Sequence, residues 1–442
     1  MVDEIRAHEE KQHWVYRRRA ELKGAKTIMA IWSFKRKRAP DGRVLKYKAR
    51  LCCHGGMQQW GVNYWETYAP VVNWFSIRLL LAQALLNNWH TRQVDFVLAY
   101  PQADIETELF MKLPRGIQLP NNISNETHAL RLKKNVYGQK QAGRVWVHHL
   151  QKGLQNIGFT PSSIDDCVWY RNDVIFTFYV DDGILWSPRQ EGINEFLRDM
   201  RNERLAGAKD DIEDMGDVND YLGINFEMEE GKIVLSQPHL IDQIVQEVLG
   251  DNPTCRAKPI PAPSTKILDR DLNGADFNYS FDYRSIVGKL NYLEKGTRPE
   301  LAYSVHQCAR FCTNPKKSHG DAIINIAKYL KDTRAQGIIV NPDPSKSFEV
   351  YADADFSGNW NQHTAHLDST TAKSRSGYII MLHGVPLIWH SKLQTQIALS
   401  TTEAEYIALS QSLRDTIPIM NLLLEMHNHG FKGDYTRPII HC

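Results

Sequence analysis

The stretch Asp173-Val-Ile-Phe-Thr-Phe-Tyr-Val-Asp-Asp-Gly-Ile-Leu-Trp186 consists of two strand-like apolar runs that meet at a pair of acids. The β-branched and aromatic residues at 174–179 and 183–186 predict two strands, with Asp181 and Asp182 at the tight turn of a hairpin. Side chains alternate between the two faces of a regular strand, so adjacent aspartates serve one site only where the backbone reverses. Taken alone, a solvated Asp-Asp-Gly turn is the simpler interpretation.

A second acid lies in a similar stretch, Gln93-Val-Asp-Phe-Val-Leu-Ala-Tyr100, where Asp95 is the only charge among strand-forming residues. A lone buried carboxylate is costly unless it is paired or bound to a metal ion. Asp95, Asp181 and Asp182 therefore predict a site for two divalent cations, which would bracket the attacking and leaving oxygens of a phosphoryl transfer. Hard oxygen ligands without histidine or cysteine nearby favour Mg²⁺, with Mn²⁺ as a substitute, over zinc.

Length and cysteine usage limit the class of protein. A chain of 442 residues has room for two or three domains with ample core. Its seven cysteines are scattered and form no Cys-x-x-Cys pair, which suits a reducing compartment, and Cys52-Cys53-His54 lacks a second half-site for structural zinc. No signal peptide or membrane-length apolar run is present, so we expect an intracellular protein of the cytoplasm or nucleus, with no membrane partner.

The net charge of +2 hides two opposite segments. Residues 1–60 carry 15 Lys and Arg against 6 Asp and Glu, whereas residues 191–230 carry 4 against 13. The basic segment suits a nucleic-acid backbone, with a solvated basic loop as the alternative, and the acidic segment is expected to face water. The aromatic residues interleaved with the basic ones are Trp14, Tyr16, Trp32, Phe34 and Tyr47.

Ordered motifs extend this pattern along the chain. The sequences VDFVLAY and YVDD resemble the palm of reverse transcriptases, and further motifs place the chain with copia-type retrotransposon Pol polyproteins from about residue 28 onward. The resemblance implies an α+β fold: a right-hand polymerase with fingers, palm and thumb/connection helices, followed by an incomplete ribonuclease H-like α/β domain. The further motifs are YKARL, ETYAPVV, LFMKLP, YGQKQAGR, YLGI, YRSIVGKLNYL, TRPELAY and TTEAEYIAL.

The implied function is RNA- and DNA-templated DNA polymerisation by two-metal nucleotidyl transfer, with a primed RNA or DNA template and deoxynucleoside triphosphates as partners. Asp95 and Asp181 would bind two Mg²⁺ ions, and Asp182 would assist. The cytoplasmic location would then be a virus-like particle. The expected domains are an N-terminal tail (1–27), fingers and palm (28–250), a Pro-rich linker with thumb/connection helices (251–345) and a C-terminally truncated ribonuclease H-like domain (346–442).

The nucleotide-binding residues follow from a hairpin and two later motifs. Strands at 28–34 and 45–52, turning at Pro40-Asp-Gly42, place Lys48 and Arg50 on one strand face, either to meet a triphosphate or as plain surface charge. Tyr100 lies an odd number of residues after Asp95, so the strand must end or bend between them. The resemblance places Tyr100 where a ribose 2′-hydroxyl would go. It also places Tyr137-Gly138-x-Lys140 beneath the nucleotide, although Gly138 could simply start a helix. Gln139 and Gly143 depart from the family pattern.

Helical patterns and further motifs fill the rest of the chain. Ser76 is predicted to cap a core helix, Trp146, Leu150, Leu154 and Ile157 to face inward from another, and three helices are expected at 282–295, 299–312 and 319–332. Tyr221, Leu222 and Gly223 resemble the primer grip, the strand pair that positions the primer 3′ end.

The last region resembles ribonuclease H, with strands at 347–356, 377–382, 385–390 and 395–399 before a helix at 401–413. We assign Asp353 and Glu405 as its site acids and Asp355 and Glu403 as supporting or surface acids; Asp415 lies nearly opposite Glu405 on the helix. In the family the third acid follows the glutamate helix, on a strand that starts near Pro438, and the chain stops before reaching it. We therefore expect polymerase activity without RNA degradation, and reduced order beyond Gln394.

Two alternatives belong to other classes. A decayed retrotransposon remnant would bind nucleic acid at most. Such a remnant is expected to have lost active-site carboxylates, whereas all three palm acids are present in this sequence. An unrelated two-carboxylate hydrolase would need an acid pair but neither fingers, grip nor nucleotide pocket.

Overall fold

The computed structural model describes residues 1–38, 44–119, 123–202, 212–250, 256–263, 267–363, 365–432 and 437–442. No helix in these ranges is both long and apolar enough to cross a membrane. The helices are α1 (Val2–Glu10), α2 (Trp74–Asn87), α3 (Ala99–Gln102), α4 (Ala142–Asn156), α5 (Gln190–Asn202), α6 (Pro238–Leu249), α7 (Tyr283–Gly296), α8 (Ala302–Ala309), α9 (Lys317–Asp332) and α10 (Thr401–Asn428).

Strands alternate with these helices along most of the chain. They are β1 (Trp14–Arg18), β2 (Thr27–Ile28), β3 (Ala30–Arg38), β4 (Val44–Cys53), β5 (His90–Phe96), β6 (Phe110–Met111), β7 (His128–Leu132), β8 (Thr160–Pro161), β9 (Val168–Arg171), β10 (Val174–Tyr179), β11 (Asp182–Ser187), β12 (Ile212–Gly216), β13 (Asp220–Tyr221), β14 (Ile224–Glu229), β15 (Lys232–Ser236), β16 (Ile338–Val340), β17 (Phe348–Asp355), β18 (Arg375–Leu382), β19 (Val385–Leu393) and β20 (Ile439–His441).

The first of two units comprises Met1–Val72 and His90–Asp217. Its central sheet has the strand order β12-β5-β11-β10-β9-β8, so the predicted hairpin β10–β11 lies beside the Asp95 strand β5. Aromatic contacts pack one face of this sheet: Phe96 of β5 meets Trp146 of α4, and Phe176 of β10 meets Phe196 of α5. A second sheet, β1-β7-β6-β2, and the β3–β4 hairpin complete the unit.

The second unit comprises Asn73–Trp89 and Val218–Cys442. Helices α6 to α9 share one apolar core, in which Ile241 and Ile244 of α6 join residues of α7, α8 and α9. Two sheets have the orders β13-β14-β15-β16 and β19-β18-β17-β20, and β20 runs parallel to β17. The predicted strand near Pro438 is therefore present.

The unit boundaries differ from the predicted domains in two places. The first 27 residues are not a separate tail, because β1 pairs along its length with β7 and Trp14 is buried. The break after the palm falls at Asp217 and not at residue 250, since α6 buries its apolar face against α7 and α9. Residues 251–255 of the predicted linker lie outside the described residues, as does the Pro40-Asp-Gly42 turn.

Several element predictions are confirmed and some need correction. The β3–β4 and β10–β11 hairpins and the helices α7, α8 and α9 occur where predicted. Ser76 is not a cap but a fully buried residue inside α2, whose N-cap is Asn73. Ile157 follows α4 as its C-cap. The strand predicted at 395–399 is absent, because the Leu399 amide bonds to Glu403 and Ser400 caps α10, which continues to Asn428.

Candidate active site

The turn between β10 and β11 has two loop residues, Val180 and Asp181, because Tyr179 pairs directly with Asp182. Val180 has a φ of 58°, which is a feature of the first loop position in type II′ hairpin turns. A β-branched residue is strained in this left-handed region, and such strain persists only where the surroundings hold it. The Trp146 indole N–H donates to the Val180 carbonyl at 2.6 Å and so fixes the turn from α4.

Asp182 lies directly opposite Asp95 in the antiparallel pairing of β11 with β5. Directly paired residues share one sheet face, with Cβ atoms about 4.5–5.5 Å apart. The turn therefore does not aim Asp182 away from the site, and the pair facing each other is Asp95 with Asp182. Asp181 sits at the adjacent loop position, where its carbonyl accepts the Phe96 amide at 2.9 Å. All three predicted palm acids thus lie at one end of the central sheet.

A tyrosine pair and an arginine adjoin these acids. The rings of Tyr100 and Tyr137 are 4.9 Å apart, and the Arg50 guanidinium lies 4.7 Å from the Tyr137 ring centroid. Burial raises the pKa of Tyr100, and the nearby charge of Asp181 raises it further. Burial and the charge of Asp181 also raise the pKa of Tyr137, and the positive charge of Arg50 partly offsets this increase. Asp181, Arg50 and the two rings therefore lie close together, and we call this cluster the candidate nucleotide pocket.

The local backbone explains why Tyr100 reaches this pocket. β5 ends at Phe96, Leu98 takes a left-handed conformation with φ 49°, and the short helix α3 begins at Ala99. The predicted interruption between Asp95 and Tyr100 is confirmed. It removes the strand alternation that would otherwise place the two side chains on opposite faces.

Gly138 is required by backbone geometry and does not start a helix. Its φ is 85°, and a Cβ atom there would lie 2.3 Å from the Cys53 carbonyl oxygen. The Cys53 amide donates to the Tyr137 carbonyl at 2.7 Å, so the loop is joined to β4 at this point. Helix α4 begins only at Ala142, and the interpretation of Gly138 as a helix start is therefore wrong.

The two predicted lysines have different neighbours. The Lys140 ammonium donates to the Tyr64 hydroxyl at 3.0 Å and lies 4.8 Å from the ring centroid of Tyr64. Lys48 shares a strand with Arg50, and its charge is one of the factors that lower the pKa of Glu4 on α1. Glu4 also accepts the Leu51 amide of β4 at 3.2 Å. Arg50 thus points to the tyrosine pair, whereas Lys48 lies near α1.

The carboxylates suit divalent cations that are shared with a substrate. Within the described ranges, no group of three or more His, Cys, Asp or Glu side chains is arranged to hold a metal ion by itself. Mg²⁺ is commonly held by one or two carboxylates together with substrate phosphates and water. The facing pair Asp95 and Asp182, with Asp181 beside it, supplies that donor set of hard oxygens.

The sequence profile described as "Reverse transcriptase (RNA-dependent DNA polymerase)" matches residues 14–262, which include every residue of this pocket. The chain belongs to the reverse transcriptase family. Enzymes of this family generally use divalent metal ions.

Curated relatives extend the match beyond that profile. The chain is 30% identical over 423 residues to the Retrovirus-related Pol polyprotein from transposon TNT 1-94 of Nicotiana tabacum, covering 92% of this chain and 30% of the relative. It is 31% identical over 421 residues to that of transposon RE1 of Arabidopsis thaliana, covering 93% and 26%. The predicted resemblance to copia-type Pol polyproteins is confirmed, and the chain spans less than a third of these relatives.

Among solved structures, the chain is similar to a foamy viral protease-reverse transcriptase in complex with double-stranded DNA. The sequence identity is 11%, the TM-score is 0.45, and the match covers 94% of this chain and 60% of the other.

The predicted primer grip of this reverse transcriptase forms a tight hairpin in the second unit. Leu222 and Gly223, with φ values of 55° and 73°, are the loop residues between β13 and β14. The Tyr292 hydroxyl donates to the Leu222 carbonyl. The Tyr221 side chain is fully buried and lies in the core next to this turn.

The ribonuclease H-like acids lie on different sides of their sheet. Tyr378, which pairs with Ala352, donates its hydroxyl to Asp415 at 2.5 Å, so α10 packs on the face of Ala352. Asp353 follows Ala352 in the strand and points to the opposite face. Glu405 belongs to α10, and its Oε2 atom is buried without a hydrogen-bond partner.

Two structural residues were missed by the sequence prediction. Glu403 was assigned as a supporting or surface acid, yet it accepts the Leu399 amide at 2.7 Å while its own amide donates to the Ser400 hydroxyl at 3.1 Å. The Ser-x-x-Glu spacing at 400–403 is typical of a helix N-terminus and could have identified it, although Glu403 takes the amide of Leu399 and not that of the N-cap Ser400. The Trp146 contact to Val180 had no comparable signal, because it depends on how α4 packs.

Proposed function

We propose that this chain is an RNA- and DNA-templated DNA polymerase of a copia-type retrotransposon, acting by two-metal nucleotidyl transfer. The observation that carries the proposal is the direct pairing of Asp182 with Asp95, next to Asp181 and the pocket of Arg50, Tyr100 and Tyr137. The partners are a primed RNA or DNA template and deoxynucleoside triphosphates.

In the proposed reaction the primer 3′-hydroxyl attacks the α-phosphate of the nucleotide, and pyrophosphate leaves. Bound divalent cations would neutralise the phosphate charge and polarise the reacting oxygens. Asp95, Asp181 and Asp182 are the residues that would hold them. Arg50, supported on the Tyr137 ring, is placed to pair with the triphosphate, because a guanidinium binds phosphate oxygens in a bidentate manner.

Primer extension on a homopolymer RNA template, with Mg²⁺ or Mn²⁺, tests the proposal. Asp181→Asn and Asp182→Asn should each lower kcat by about a thousandfold or more, because a neutral amide cannot hold and position the cations. Asp182 is expected to matter as much as Asp181, since it faces Asp95. The matched control is Asp166→Asn, an exposed aspartate of the same unit, which should extend primers normally.

Two outcomes would contradict the proposal. Near-normal primer extension by Asp181→Asn would contradict the assignment of Asp95, Asp181 and Asp182 as the polymerase site. No incorporation by the unaltered chain with either metal would favour the second candidate, a non-catalytic retrotransposon remnant.

We also propose that the ribonuclease H-like sheet does not degrade RNA in this chain. Asp353 and Glu405 are separated by the sheet, and Asp415 is engaged by Tyr378. Incubating a labelled RNA–DNA hybrid with the protein and Mn²⁺ should leave the RNA intact. Efficient metal-dependent cleavage that Glu405→Gln abolishes would show a complete site.

A further inference from the structure

Two tryptophans outside the pocket are unusually exposed for large aromatic side chains. Trp60 is 71% exposed and Trp65 is 54% exposed, and Val62 between them is exposed as well. Tryptophan is on average a largely buried residue, so two exposed indoles within six residues suggest a binding surface. We call residues 60–65 the indole turn.

The indole turn is a built structure. Trp60 forms a bridge with Tyr64, and the Gly61 amide donates to the Tyr64 carbonyl at 2.9 Å. The Trp60 indole N–H donates to the Trp65 carbonyl at 3.1 Å, which fixes the Trp60 ring relative to the backbone of its neighbour. A surface that is held in this way loses little conformational entropy when a ligand binds.

The same segment is joined to the candidate active site. Gln58, just before the indole turn, accepts the Lys140 amide at 2.8 Å, and Tyr64 within the turn accepts the Lys140 ammonium. After the turn, the Ala69 Cβ lies 3.6 Å from the position of a Cβ on Gly143, and the Tyr100 hydroxyl lies 3.8 Å from that same position. The indole turn therefore borders the pocket that is proposed to hold the nucleotide.

We propose that Trp60 and Trp65 form a stacking platform for unpaired nucleobases of the template strand. This inference rests on the proposed polymerase function, because a templating base must lie beside the incoming nucleotide and the unpaired template leaves the duplex there. Aromatic faces stack on any base, which suits a template of arbitrary sequence. The Lys140 ammonium at the edge of the turn supplies positive charge for the phosphate backbone.

Equilibrium binding measured by fluorescence anisotropy tests the platform without requiring catalysis. The probes are a primed RNA template with a short unpaired 5′ overhang and the corresponding blunt duplex. The unaltered chain should bind the overhang probe more tightly than the blunt one. Trp60→Ala and Trp65→Ala should each weaken overhang binding about tenfold and leave blunt-duplex binding unchanged.

Two variants control for folding and for aromatic character. Trp60→Phe keeps a stacking ring and should retain most of the overhang preference. Trp360→Ala removes a tryptophan of the second unit that is 57% exposed and should bind both probes normally. Thermal melts should coincide for all variants, since the substituted indoles are exposed.

The outcomes separate this inference from the proposed function. If the unaltered chain extends primers but Trp60→Ala and Trp65→Ala bind the overhang normally, the platform is wrong and the polymerase assignment stands. If sedimentation shows dimers that Trp60→Ala disrupts while overhang binding is unchanged, the indole turn is a self-association surface instead. If the chain binds neither probe, both proposals fail.

Discussion

At the scale of single residues, we propose that Tyr100 selects the sugar of the incoming nucleotide. Its ring is half-buried against Tyr137, close enough to Asp181 for that charge to raise its pKa further after burial. A Cβ on Gly143 would lie 3.8 Å from the Tyr100 hydroxyl, which places the ring between α4 and the acids. A rigid ring in that position would exclude a bulkier sugar by steric contact and would need no hydrogen bond to do so.

Tyr100→Ala should raise ribonucleotide incorporation relative to deoxyribonucleotide incorporation by about 10- to 100-fold, because the ring that excludes the 2′-hydroxyl is gone. Competition between the two nucleotides in single-nucleotide extension measures the change. Tyr100→Phe keeps the ring and should keep the preference. If Tyr100→Ala loses stability with an unchanged sugar preference, the residue is only a core tyrosine.

At this scale the sequence located the acids but not their partners. Runs of β-branched residues placed Asp95 on its strand and Asp181 at the hairpin turn, because strand propensity is local, but Asp182 was also expected at the turn and instead begins β11. Whether Asp182 faces Asp95 depends on the register between β11 and β5, which are adjacent in the sheet but far apart in sequence. Packing sets that register. The left-handed φ of Val180 depends on the Trp146 hydrogen bond, a tertiary contact without a sequence signal.

Helix α2 illustrates how a single buried charge fixes an element. Arg78 is almost fully buried, and burial lowers its pKa to about 9. The negative charge of the nearby Glu294 acts in the opposite direction and raises that pKa. Its guanidinium donates to the Gly296 carbonyl at 2.9 Å, to the Lys295 carbonyl and to the Leu387 carbonyl at 2.8 Å. Carbonyls at a helix C-terminus lack intrahelical partners, so Arg78 caps α7 and joins it to α2 and β19.

Arg78→Ala should lower the free energy of unfolding by about 3–5 kcal/mol, because it leaves the buried Leu387, Lys295 and Gly296 carbonyls without their donor. Arg78→Lys should recover only part of this loss, since one ammonium cannot replace the guanidinium fork. Urea unfolding measures both variants. The control is Arg284→Ala, an exposed arginine of α7, and a loss no larger than that of the control would contradict the capping role.

Element predictions were confirmed where the local sequence signals agreed. They were wrong where capping or core packing overrode the sequence pattern. Asp282, the first residue of the predicted helix, is the N-cap and accepts the Ser285 amide at 2.6 Å. Helix α7 begins at the next residue, Tyr283. The alternating residues at 395–399 resemble a strand, but the Glu403 carboxylate takes the Leu399 amide and the segment becomes the cap of α10. Ser76 resembled a cap by composition, yet it is enclosed by the core around α2.

Over the whole molecule, buried or half-buried histidines with a lowered pKa occur in both units. Burial is the chief cause that lowers the pKa of His13 to about 3 in the first unit, and of His306 to about 3 and His390 to about 4 in the second. The His306 Nδ1 atom accepts a hydrogen bond from the Arg375 guanidinium at 3.1 Å, which requires a neutral ring. The domain boundary after the palm could not be predicted from local sequence, because the packing of α6 against α7 and α9 assigns α6 to the second unit.

These histidines should make the fold sensitive to acid. Each has an ordinary pKa of 6.5 when unfolded and a lower one when folded, so the unfolded chain binds more protons between the two values. The stability is therefore complete above pH 6.5 and is lost as the pH falls towards the folded value. One histidine of this kind costs about 2 kcal/mol by pH 5.

Urea unfolding at a series of pH values measures this dependence for His306→Gln. The glutamine oxygen still accepts from Arg375 but takes up no proton, so the variant should lose about 2 kcal/mol less than the unaltered chain on acidification to pH 5. His363→Gln, at an exposed position, should keep the original dependence. An unchanged pH slope in His306→Gln would mean that His306 is already protonated in the folded chain, despite its contact with Arg375.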